Sequence, residues 1–180
     1  SVKQAIDNNK VDVAIQWLNT NSIFTSTQWS ESYAAAAIES KRLQKLVSEK
    51  SETFVAQHVD AIAKELDENQ KDPFPAIYKF VSLERNFANN KQAAKHFSTI
   101  AVKLATNTNL RNIWSDATKV FDANQTLVAS KSVEQKKTAI QILNSLSRSD
   151  SAQSIQQAAL NVIRRNAATV ARLETTSSTK

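Results

Sequence analysis

The chain has 180 residues and contains no glycine, cysteine or methionine, and its 23 Lys/Arg against 17 Asp/Glu give a net charge of +6. Average proteins contain about 7% glycine, and tight β-hairpins, dinucleotide-binding loops and P-loops need it at fixed positions. The composition therefore argues against those folds, excludes disulfides, thiolate nucleophiles and Cys-ligated zinc, and predicts an all-α protein.

Two short helices are predicted near the start of the sequence, at 2–8 and 11–18. A polar linker follows at 19–26, where Thr25 and Gln28 fit a capping box that begins a long helix to about residue 48. Ser51 is predicted to cap the next helix. The apolar stripe of that helix consists of Val55, Val59, Ile62 and Leu66.

The stretch 72–87 is the predicted centre of the fold. Asp72 is expected to be its N-cap, with Pro73 at the first helical position. At 100° per residue its apolar side chains fall on two opposite faces: Phe74, Ile77, Tyr78 and Val81 on one, and Phe80, Leu83 and Phe87 on the other. A helix that is apolar on two sides is expected to lie between other helices.

The remaining sequence predicts a helix at 91–105, one from residue 110 capped by Asn109, and a weaker segment at 126–130. Ser132 with Gln135 forms a second capping box before a broadly apolar helix. Asp150 with Gln153 is expected to open the last helix. The stripe of that helix is Ile155, Ala159, Val162, Val170 and Leu173, with Asn166 at its centre.

These segments predict one domain at 1–174, a bundle of about eight to nine helices, with a Ser/Thr-rich tail at 175–180. Stacked helix pairs in a short α-solenoid are the alternative, although no repeat period supports them. No run of 18 apolar residues occurs, so we expect a soluble protein without a transmembrane segment. Because methionine is missing even at position 1, Ser1 is expected to follow a processing event or an artificial boundary.

No constellation in the sequence is typical of an active site. His58 and His96 lack a ligand one helical turn away, and no serine lies in a glycine-flanked elbow. We therefore expect no enzyme, no cofactor and no metal. Asn124-Gln125-Thr126 matches a glycosylation sequon, a triplet that arises often by chance.

The two halves of the chain differ in charge. Residues 1–90 carry 10 Lys/Arg against 12 Asp/Glu, whereas residues 91–180 carry 13 against 5, a net charge of +8. A basic half makes an anionic partner a hypothesis. The candidate contacts are Lys131, Lys136, Lys137, Arg148, Arg165 and Arg172.

Three functions stay open at this point. The first is a non-enzymatic module that binds another protein. The second is a carrier of a hydrophobic, lipid-like molecule, held in a cavity between helices. The third is a binder of nucleic acid or of an anionic surface. The candidate core or cavity-lining residues are Phe74, Tyr78, Phe80, Phe87 and Asn166, the last of which needs a hydrogen-bond partner if it is buried.

Overall fold

The computed structural model describes residues 34–148 and 152–175, together with the isolated positions Gln4, Asn8 and Val13. The predicted helices at 2–8 and 11–18, the linker at 19–26 and its capping box therefore lie outside the described residues. The same holds for Asp150 and for the end of the predicted tail.

The described residues form eight helical segments and no strand, which confirms the all-α class. The segments are α1 (Ala34–Glu68), α2 (Phe74–Phe87), α3 (Lys91–Ala94), α4 (Phe97–Thr106), α5 (Thr108–Ala129), α6 (Val133–Arg148), α7 (Gln153–Arg165) and α8 (Ala167–Thr175).

The chain divides into two compact units. The first comprises Ser1–Ala61 with Leu83–Ile100, and the second Ile62–Ser82 with Ala101–Lys180. The boundaries between them fall within α1, α2 and α4. The single domain at 1–174 stays a prediction.

Helix α1 corrects the predicted break at Ser51, because it runs without interruption for 35 residues. The Ser51 side chain is completely buried, and its hydroxyl donates to the Val47 carbonyl one turn earlier. A serine that bonds back in this way is satisfied inside a helix. Its hydroxyl is therefore not needed as a cap, and the apolar stripe continues past it to Val55.

In the first unit, the last turn of α2 packs against α1. The Phe54 ring stacks on Phe87 with centroids 5.5 Å apart and on His58 with centroids 3.9 Å apart. The predicted helix at 91–105 is in fact two segments. Asn90 caps α3 by accepting the Gln92 and Ala93 amides, and the chain turns before α4 begins.

In the second unit, aromatic side chains of α2 pack against α5. Phe80 lies 6.0 Å from Trp114 and Tyr78 lies 6.1 Å from Phe121, measured between ring centroids. Phe74, Phe80 and five further apolar residues of α2, from both predicted faces, are buried. The two-sided burial predicted for this helix is therefore observed.

The predicted start of α2 is one residue early. The helix begins at Phe74, and the Pro73 carbonyl accepts its first amide, that of Ile77, at 3.0 Å. The Asp72 carboxylate accepts a hydrogen bond from the Ser154 hydroxyl at 2.8 Å. Asp72 therefore joins α7 to the start of α2.

Helices α5, α6 and α7 form a three-helix bundle, because α6 packs against both of the others. The three-residue connection between α5 and α6 makes these two helices antiparallel, as does the short connection between α6 and α7. The core of the bundle contains Val120, Leu127, Leu143, Ile155 and Ala159.

The ends of α5 and α6 revise two predictions and confirm one. Asn107, not Asn109, caps α5 by accepting the Leu110 amide at 3.1 Å, and the helix continues to Ala129 through the predicted weaker segment. Ser132 caps α6 as predicted, by accepting the Gln135 amide at 3.3 Å. The Gln135 side chain accepts instead from Ser130, so only half of the capping box forms.

Asn166 interrupts the predicted last helix, so that α7 and α8 are separate. Its backbone amide donates to Val162 and Ile163 at 3.2 Å, which tightens the turn. Its side-chain amide donates to the Val162 carbonyl at 2.9 Å and to the Asn124 side chain on α5 at 3.4 Å. The polar residue in the apolar stripe thus ends one helix and contacts another, which satisfies its amide without full burial.

Candidate interaction surfaces

A groove of about 580 Å³ lies between α5 and α6. We refer to it as the α5–α6 groove. It is lined by Thr118, Lys119, Asp122, Ala123, Thr126, Glu134, Gln135, Thr138, Ala139 and Ile142. These residues recur at intervals of three and four along each helix, as expected for two facing helix surfaces.

The three threonines in this groove make local hydrogen bonds. The hydroxyls of Thr118, Thr126 and Thr138 donate to the carbonyls of Trp114, Asp122 and Glu134 at 2.8, 2.9 and 3.1 Å. Each bond reaches back one turn within the same helix. The groove is therefore less polar than its sequence suggests, because these hydroxyls are already satisfied.

Two of the three charged groove residues, Lys119 and Glu134, form ion pairs along their own helices. Lys119 lies 2.8 Å from Asp116, and Glu134 lies 3.8 Å from Lys137. Exposed pairs of this kind contribute little to stability. Their effect is to leave the groove without a strong charge of either sign.

Sequence reasoning missed this groove. A usable signal was the facing pair of small residues, Ala123 and Ala139, which are both buried. Alanines do not fill the space between adjacent helices as leucines do, and a surface depression results.

A second groove, also of about 580 Å³, lies at the corner between α1 and α2, from Glu65 to Pro75. It contains several acidic residues, but Lys79 donates to Glu65 at 2.7 Å and Lys103 pairs with Asp67. No cluster of His, Cys, Asp or Glu suited to a metal ion occurs among the described residues.

The six candidate basic residues are divided between the two ends of the bundle. Lys131, Lys136 and Lys137 lie at or beside the connection between α5 and α6. Arg165 ends α7 and Arg172 lies on α8, and the antiparallel order brings α7 back to this same end of the bundle. Arg148 ends α6, at the opposite end. Five of the six candidates therefore share one end of the bundle, and Arg148 is separated from them.

The predicted core residues lie in the interior or beside it. Phe74, Phe80 and Phe87 are buried, and Tyr78 is half-buried. Burial raises the pKa of the Tyr78 hydroxyl, and the Arg165 guanidinium partly opposes this by favouring the phenolate. None of these four residues lines either groove.

The His58 imidazole contacts its own helix, whereas the His96 Nε2 atom is buried and has no hydrogen-bond partner among the described residues. His58 Nδ1 lies 2.8 Å from the Phe54 carbonyl, and His96 Nε2 lies 3.7 Å from a Glu52 carboxylate oxygen. The sequon Asn124 lies inside α5, where its side-chain oxygen accepts from Asn166. A helical, half-buried asparagine is a poor acceptor for a glycan.

No protein-family model, curated protein or solved structure shows a significant match to this chain. Within the described ranges, no helix is both long enough and apolar enough to cross a bilayer.

Proposed function

We propose that this chain is a non-enzymatic helical module that binds another protein, and that a helix of that partner lies in the α5–α6 groove. The observation that carries the proposal is the set of three back-bonded threonines around the buried Ala123 and Ala139. A surface of this kind favours apolar side chains, because it presents no unsatisfied hydroxyl to them.

The shape of the groove favours a helix as its occupant. Its wall on α5 extends from Thr118 to Thr126, about 12 Å or roughly two helical turns. An amphipathic helix places side chains at i, i+3 or i+4 and i+7 along such a length. The small residues between the walls allow the guest backbone to approach closely, as at other helix–helix contacts.

The groove volume is also consistent with this occupant. About 580 Å³ lies within the range of about 300–1,000 Å³ typical of ligand sites. A groove that is open along its length suits a few anchor side chains of a longer ligand. The lipid-carrier hypothesis requires an enclosed cavity and stays a prediction.

A photo-crosslinking experiment tests the proposal. A photoreactive phenylalanine analogue is placed at Thr126 or Thr138 in the groove, and at Gln125 or Gln141 as exposed controls on the same two helices. We expect both groove positions, and neither control, to yield the same crosslinked protein from an extract of the source organism.

Four tryptophan variants, two in the groove and two outside it, test whether the partner occupies the groove or only contacts an accessible surface nearby. Thr126→Trp and Thr138→Trp fill the groove, whereas Gln125→Trp and Gln141→Trp add the same bulk elsewhere. The groove variants should no longer capture the partner protein from the extract, while their melting temperature stays that of the wild type. Equal capture by all four variants, or no adduct from either groove position, contradicts the proposal.

A further inference from the structure

A second surface lies at the end of the three-helix bundle where α5 connects to α6. Two apolar side chains are exposed there: Val128, in the last turn of α5, is 68% exposed, and Val133, the first residue of α6, is 47% exposed. Lys131 lies between them in the connection and is also exposed. We call Val128, Lys131 and Val133 the hairpin tip.

Helix α7 brings two arginines to the same end. Helix α6 has 16 residues and α7 has 13, about 24 and 20 Å at 1.5 Å per residue. Because the two helices are antiparallel neighbours, α7 ends about level with Lys136, within two turns of the hairpin tip. Arg164 and Arg165 are exposed in its last turn.

The charge of the bundle is concentrated at this end. Residues 123–139 and 160–175 carry six Lys/Arg against two Asp/Glu, a net charge of +4. The described residues at the opposite end, 108–122, 140–148 and 152–159, carry three Lys/Arg against two Asp/Glu, a net charge of +1. Lys137 is paired with Glu134, whereas Lys131, Lys136 and Arg164 have no ion-pair partner within the described part of the chain.

We propose that the hairpin tip docks onto an anionic lipid surface, with its two valines at the headgroup boundary and the surrounding cations against lipid phosphates. Cations near such a surface each add to the attraction, within about one Debye length. Exposed apolar side chains next to cations match an interface that is charged outside and apolar beneath. This proposal is independent of the α5–α6 groove.

The same surface fits a nucleic acid less well. Single-strand binding uses exposed aromatic rings as stacking platforms. The aromatic residues of this bundle, Trp114 and Phe121, pack instead against Phe80 and Tyr78 of α2. What the hairpin tip exposes beside its cations is aliphatic, which favours lipid.

Vesicle co-sedimentation tests the proposal with the complete chain. The probes are vesicles of phosphatidylcholine alone and of phosphatidylcholine with phosphatidylserine. We expect binding to the anionic vesicles only, and weaker binding as salt increases. Lys131→Gln with Arg164→Gln should lower the partition coefficient about 25-fold, at about fivefold for each charge.

The matched control removes two cations from the opposite end. Arg111→Gln with Arg148→Gln causes the same change in net charge, and both residues are exposed, Arg111 near the start of α5 and Arg148 at the end of α6. Because α5 is about 33 Å long, these charges lie beyond a Debye length from the hairpin tip, and binding should change less than about twofold. Equal losses in the two double variants would overturn the proposal, because they would show attraction to net charge alone.

Substitution of the two valines distinguishes binding to lipid from binding to other polyanions. Val128→Ser with Val133→Ser should weaken vesicle binding by about tenfold or more and leave binding to a single-stranded oligonucleotide unchanged. Val102→Ser, at a 62% exposed position on α4, is the control for loss of an exposed valine. The proposal is overturned by absent vesicle binding, or by valine variants that bind vesicles like the wild type.

Discussion

Substitutions of Ser51 test whether α1 is continuous. A serine buried inside a helix and a serine at an N-cap are expected to respond to the same substitutions in opposite ways. In α1 its side chain is fully buried and its hydroxyl donates to the Val47 carbonyl at 2.5 Å. That carbonyl also accepts the Ser51 amide within the helix, so Ser51→Ala leaves no acceptor unsatisfied. Alanine is also the better helix former, and we expect a change in unfolding free energy between zero and about 0.5 kcal/mol of stabilisation.

Ser51→Asp provides the contrast. An N-cap position would accept aspartate without loss, and would lose about 1 kcal/mol on replacement by alanine. At a fully buried position an unpaired carboxylate should destabilise by about 3–5 kcal/mol. Urea unfolding measures both values, with Ser145→Ala and Ser145→Asp as controls at an exposed site in α6. A stable aspartate variant with a destabilised alanine variant would refute a continuous α1.

Three other changes have defined outcomes. Phe80→Ala should destabilise by about 3–5 kcal/mol in urea unfolding, because the ring is fully buried against α5, whereas Val128→Ala should stay within about 0.5 kcal/mol. A double-mutant cycle on Asn124 and Asn166 should give a coupling below about 1 kcal/mol, since their hydrogen bond is long at 3.4 Å; a larger coupling would mean that the pair holds α7 to α5 more strongly than this contact indicates. Burial raises the pKa of Glu84, so the native state binds its proton more tightly than the unfolded chain does and stability falls as pH rises through that pKa. Glu84→Gln should therefore be more stable than the wild type at neutral pH and lose this advantage below the ordinary glutamate pKa. An equal difference at both pH values would contradict this reasoning.

The helical class was predictable because it depends on local chemistry. The absence of glycine, the spacing of apolar residues and the Ser132 cap each act over one or two turns. The two-sided burial of α2 followed from its own sequence for the same reason. Continuity between helices was not predictable in this way. Ser51 and Asn166 are both polar residues within apolar stripes, yet one lies inside a helix and the other ends one.

What separates these two residues is the environment that each one finds. Both side chains donate to a carbonyl one turn earlier, but the Ser51 hydroxyl is fully buried and this is the only hydrogen bond of its side chain given by the described residues. The longer amide of Asn166 reaches Asn124 on α5 while its backbone turns out of the helix. The sequence identified Asn166 as a residue that needs a partner, but the partner is 42 positions away and no local pattern names it.

The positions of the basic residues are a second feature that the local sequence does not determine, because they depend on how whole helices are arranged. The sequence grouped Arg148 with the other basic candidates, because a count of charges along the chain does not record where each helix begins and ends in space. Because the chain reverses direction at each connection, Arg148 lies at the less basic end of the bundle, whereas Arg165 returns to the end that holds Lys131. Arg164, which is not among the six candidates from the sequence, reaches that end as well. An experiment that removes charge from one end at a time therefore tests the topology of the bundle together with the function proposed for its hairpin tip.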